Sequence, residues 1–134
     1  MKYLLTFVRD QDRMYEGTEE EMKAGMDAWN DFNREAIEAG VMIANEALEP
    51  PKTAKTVRFA DGGELSVTDG PFAETKEQLG GFCLIDVDGP DEAMRWAKKV
   101  PLVPGSLLEV RAVRDLTQYG YVDPATPGAI EAKA

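Results

Sequence analysis

A chain of 134 residues is long enough for one domain with its own core, and 43% hydrophobic against 30% charged residues argues against wholesale disorder. The formal charge of -10, from 15 Lys+Arg against 25 Asp+Glu, argues against nucleic acid or an anionic membrane as the main partner, since both are bound through clustered cations. Histidine is absent, which removes Ser-His-Asp and Cys-His arrangements, histidine metal sites and any general base titrating near neutrality at its ordinary pKa.

The run "KYLLTFV", residues 2 to 8, sets Tyr3, Leu5 and Phe7 on one face and Leu4, Thr6 and Val8 on the other. Both faces are largely apolar, so an interior strand covered on each side is expected. This apolar stretch is too short for a signal peptide, and no segment approaches membrane-spanning length, so a cytoplasmic protein is expected. Thr18 with Glu21 forms a capping-box pattern, and Met22, Met26, Trp29, Asn33, Ala36 and Ile37 recur at helical spacing up to Gly40. They predict a long amphipathic helix closed by a glycine.

"GVMIANEAL" reads as a second strand, ended by Pro50 and Pro51. "KTVRFA" and "ELSVT" alternate around "DGG" as a hairpin, with Val57, Phe59, Leu65 and Val67 on its apolar side. "GGFCLIDV" is again apolar on both faces. "DGPDEAMRWAKKV" predicts a helix with Pro90 in its first turn, Asp91 and Glu92 at its start and Lys98 and Lys99 at its end. "SLLEVRAV" supplies a last strand, Leu108, Val110 and Ala112 alternating with Glu109, Arg111 and Val113.

This order implies a ferredoxin-like α+β sandwich over residues 1–114, one antiparallel sheet carrying both helices on one face. The other face needs a cover, and a second copy is the simplest one, giving a homodimer with facing sheets. The tail, residues 115–134, holds Tyr119 and Tyr121 and is expected to be either mobile or laid across the partner subunit.

The chemistry concentrates in "TDGPFAETKEQLGGF", residues 68 to 82. Asp69 reads as a turn residue, its functional alternative being a partly desolvated carboxylate beside Phe72 that transfers protons. Glu74 and Lys76 read as solvated charges or as a clamp for a polar ligand. Gly80 and Gly81 suit a bulge or a close backbone approach, since no phosphate-loop pattern surrounds them. Trp29 reads as core, or else as a ligand contact. Arg58 and Arg111 are expected to pair with surface acids. Cys83, the single cysteine, reads as a buried structural thiol. No spacing suggests a metal or cofactor site, so neither is expected.

With "AGVMIANEALEPP" before that block and "EVRAV" after it, the chain resembles the YCII-related, or DGPF-domain, family of small bacterial proteins from about residue 1 to about residue 114. The resemblance implies a dimeric α+β barrel of ferredoxin-like subunits. The family's DGPF aspartate matches Asp69, the candidate catalytic group of a cleft expected between sheet and helix and edged by Asp69 and Phe72. For that cleft the residues themselves offer Phe72, Glu74, Lys76 and Trp29 as candidate ligand contacts. YCII-like proteins have been proposed as enzymes on the strength of a His and Asp pair, and half of that pair is missing here. Cys83 stands where many members carry an aromatic, which implies an enlarged cavity. A link to extracytoplasmic-function sigma factors is also implied, and with it an alternative regulatory role without catalysis.

Overall fold

Alternation in the first strand decides which side of the molecule becomes its core. In the computed structural model, which describes residues 1–10 and 17–124, strand β1 (Lys2–Asp10) buries Tyr3, Leu5 and Phe7. Leu4, Thr6 and Val8 stay half-buried on its other side. β1 pairs antiparallel with β5 (Glu77–Asp86) along one edge and with β6 (Leu107–Ala112) along the other, and β2 (Met42–Ala47) pairs with β5. The sheet order is therefore β2-β5-β1-β6. Helix α1 (Glu19–Glu38) follows β1 and α2 (Pro90–Ala97) follows β5, so the chain has the split βαβ arrangement of the ferredoxin-like α+β fold. Between β2 and β5 it inserts a hairpin, β3 (Lys55–Phe59) and β4 (Leu65–Asp69), which forms a separate two-stranded sheet.

The local signals for α1 act as expected at both ends. The Thr18 hydroxyl oxygen accepts from the Glu21 N–H at 3.1 Å. At the other end Gly40, at φ 74°, lets its own N–H reach the Ile37 carbonyl and the Val41 N–H reach that of Ala36. This is a Schellman stop, and it brings the buried Val41 into the same core as Ala36. The expected stripe is corrected in one respect. Met22, Met26 and Ile37 are exposed, while Phe32, outside that ladder, is buried with Ala36. Burial therefore begins only in the second half of the helix.

Both helices pack on the side of Tyr3, Leu5 and Phe7, where Phe32, Ala93, Trp96 and Ala97 join Cys83 and Ile85. An edge-to-face aromatic row runs Phe7, Trp29, Phe32, Trp96 with centroid separations of 5.1, 5.9 and 6.3 Å. Such pairs add roughly 0.5–1.5 kcal/mol each beyond burial. Lys99 ties α2 to α1 through Glu35.

The opposite side of the sheet carries neither helix. Leu4 faces Leu84, Thr6 faces Phe82, and Val8 lies between Leu79 and Leu107. Within β5 the register passes from Phe7↔Gly81 to Val8↔Leu79, so Gly80 is the extra residue of a β-bulge. A Cβ on Gly81 would stand 2.7 Å from the Glu46 carbonyl and 3.1 Å from the Phe7 ring, the close approach expected of that glycine pair.

Beyond residue 114 the chain turns at Thr117–Tyr119, and Asp123 then pairs with Lys2 at the start of β1. Residues 125–134 of the tail lie outside the described part. No helix among the described residues is long and apolar enough to cross a membrane.

Candidate functional site

The turn after β4 is held by backbone and hydroxyl groups rather than by its aspartate. Gly70, at φ 97°, donates its N–H to the Ala54 carbonyl at 2.7 Å, and its own carbonyl accepts from the Thr56 hydroxyl at 2.8 Å. Glycine is needed there because this backbone conformation crowds any Cβ. Asp69 faces Lys55 across the β3–β4 ladder and accepts from its ammonium at 2.6 Å. Both side chains are largely exposed, so the pair adds little to stability.

Past Phe72 the loop wraps around one buried amide. Gln78 is 7% exposed, and its Nε2 donates to the carbonyls of Ala73 and Thr75 at 2.8 and 2.9 Å, with the Thr75 hydroxyl oxygen at 3.4 Å. The Thr75 hydroxyl in turn donates to the Glu77 carbonyl at 2.6 Å. Carbonyls that a loop cannot satisfy with its own backbone are thus satisfied by a side chain.

Between this loop, the hairpin root and the end of β2 lies an open cleft of about 370 Å³. Its walls are Leu48, Glu49 and Pro51, residues 54–57, Pro71 and Phe72, and Gln78 and Leu79. That volume falls at the small end of the roughly 300–1,000 Å³ typical of ligand pockets. The walls are mostly aliphatic or aromatic, with Lys55, Glu49, Thr56 and Gln78 as the polar groups.

The sequence-predicted residues separate on this geometry. Phe72 lines the cleft and is 83% exposed. Asp69 reaches it through Lys55, which does line it. Glu74 and Lys76 are exposed on the loop, outside the lining, and no ion pair joins them. Trp29 stands in the aromatic row of the core, away from the cleft. Arg111 pairs with Glu109 as expected. Arg58 does not find an acid; its guanidinium donates instead to the Thr68 hydroxyl at 2.6 Å, diagonally across the ladder. Gln78 and Lys55 were not legible as site residues. The partners of Gln78 are backbone carbonyls of its own loop, and such partners leave no mark in side-chain spacing.

Cys83 does not enlarge the cleft. Its side chain is fully buried on the helix side, with Sγ 3.5 Å from the Met42 sulfur, and burial pushes the thiol up to about 11. A thiol so protonated is not a nucleophile at neutral pH. Elsewhere, hydrogen bonds from Thr117 hold the Asp115 carboxyl below its usual range, and Asp123 raises Lys2. A second depression, of about 280 Å³ at the start of α2, is lined by Asp88, Gly89, Pro90, Asp91, Glu92 and Arg95. Glu92 there accepts from the Asp88 N–H at 2.8 Å, an ordinary helix-start contact. Among the described residues no group of three acidic or thiol side chains is placed to hold a metal ion.

Fold and cleft together define a ferredoxin-like α+β protein with an inserted hairpin and a small side cleft. Comparison with known families narrows that class: the model of the YCII-related domain matches residues 1–117, and the chain belongs to that family. It is also similar to an uncharacterized protein of Rhizobium meliloti (strain 1021), 39% identical over 98 residues that cover 73% of this chain and 78% of the relative.

Proposed function

We propose that this YCII-related protein is a cytoplasmic homodimer that binds or transforms a small molecule in the cleft beside residues 69–72. The observation that carries the reading is the 83% exposed Phe72 set on the wall of a mostly apolar cleft of ligand size. Large exposed aromatics at the rim of a concavity are favourable ligand contacts. Asp69 and Lys55 give the rim a paired charge, and with no histidine in the chain any proton transfer falls to such groups. The homodimer is supported by the sheet face of Leu4, Phe82 and Leu84, which neither helix covers. The lone buried Cys83 fits a reducing compartment.

A thermal-shift screen of small alcohols, amides, lactones and carboxylic acids tests this reading, run beside the Phe72→Ser and Asp69→Asn variants. A ligand at about a hundred times its dissociation constant adds roughly 2.7 kcal/mol of stability. The expected result is a hit whose shift falls in Phe72→Ser; a hit indifferent to both substitutions places the ligand elsewhere and removes the reading.

One observation favours a second reading, in which the chain is a non-catalytic interaction protein. The hairpin presents Val57, Phe59, Leu65 and Val67 to solvent on one face. Co-purification of a stoichiometric partner that Phe59→Ser releases is its expected sign.

A further inference from the structure

Gln78 is the one buried polar residue among the described residues, and its two amide ends have different fates. Both Nε2 hydrogens are committed to the Ala73 and Thr75 carbonyls. Those acceptors also fix the orientation of the amide, since a flipped group would set Oε1 against two carbonyl oxygens. Oε1 itself receives no hydrogen bond from the described residues, yet no side-chain oxygen is left both sealed and unpartnered. Oε1 therefore keeps some exposure, and Gln78 is one of the residues that line the cleft.

From this we infer that Gln78 is the ligand-orienting acceptor of the cleft, and that the cleft takes a compact, non-anionic, mostly apolar molecule carrying a hydroxyl or N–H donor. The inference rests on the cleft being the binding site. A donor is required because an acceptor in a poorly solvated wall discriminates against molecules that leave it unpaired. The apolar body follows from Leu48, Val57, Phe72 and Leu79 around it. Exclusion of anions follows from Lys55, already paired with Asp69 at 2.6 Å, from Glu49 in the wall, and from a net charge of -10.

The test is a matched pair of probes, cyclohexanol and cyclohexyl methyl ether, titrated separately into isotope-labelled full-length protein and followed by amide NMR. Both rings suit the apolar walls, but only the alcohol donates. The alcohol is expected to half-saturate the shifts of Val57, Phe72 and Leu79 at roughly fivefold lower concentration than the ether, the ratio one net hydrogen bond provides. The side-chain amide signals of Gln78 should move with the alcohol alone. Equal affinities with the Gln78 amide unmoved overturn the role of Gln78 and leave the cleft standing. If neither probe moves the cleft amides, up to the solubility limit, the cleft reading fails and takes this inference with it.

Discussion

The two sheets of this molecule obey the same alternation and meet opposite fates. In the four-stranded sheet the odd positions of β1 disappear under α1 and α2, with Leu5 at 0% exposure. In the hairpin the equivalent apolar positions Val57, Phe59, Leu65 and Val67 remain 63–73% exposed. Alternation therefore fixes which side chains share a face, and only tertiary structure fixes what covers that face. A two-stranded ribbon alone is at best marginal in water. At its root the two strands are tied to each other by the Gly70 to Ala54 bond and the Thr56 hydroxyl on the Gly70 carbonyl, where the cleft also lies.

The sharpest way to break the comparison is to truncate one residue from each sheet. Leu5→Ala should cost about 3 kcal/mol in urea unfolding, from lost burial plus a cavity. Phe59→Ala should cost less than about 0.5 kcal/mol if its face stays open in solution. A larger cost at Phe59 that grows with protein concentration shows a second chain lying on the hairpin.

Gly81→Ala should cost about 2 kcal/mol in the same assay, because the added Cβ at 2.7 Å meets the fixed Glu46 carbonyl rather than a flexible side-chain end. A neutral result means that the bulge at Gly80 absorbs the strain.

Cys83 sharpens the contrast through pH. Its folded pKa lies near 11 against an ordinary value of 9.0, so above pH 9 the unfolded chain releases a proton that the folded chain keeps. Its contribution is complete below pH 9 and is lost as pH rises towards 11, at a slope of up to about 1.4 kcal/mol per pH unit. Unfolding curves between those pH values should lose this slope in Cys83→Ala.

A small effect is also expected at the exposed rim. Asp69→Asn should change stability by less than about 1 kcal/mol, and added salt should shrink the difference further. A larger, salt-insensitive loss means that Asp69 is shielded from water in the assembled protein.

Much of the fold was legible because its signals are local. Thr18 with Glu21, Gly40, Pro90 and the period-two runs each specify their element within a few residues. The stripe of α1 was misread in part because helical spacing alone does not say where along its length a helix meets a sheet. The site was less legible. The exposed Phe72 could be anticipated, whereas Gln78 depends on loop carbonyls and Lys55 on cross-ladder register with Asp69. Cys83 was readable as structural from its apolar setting, but it packs against Met42 in the core and does not line the cleft.

The proposal that a second copy covers the sheet face left bare by both helices is tested most directly by sedimentation equilibrium of the purified protein. The expected mass is twice the 14.7 kDa of a single chain. A mass of 14.7 kDa at every concentration contradicts it, because the half-buried Leu4, Phe82 and Leu84 then have no second copy to cover them.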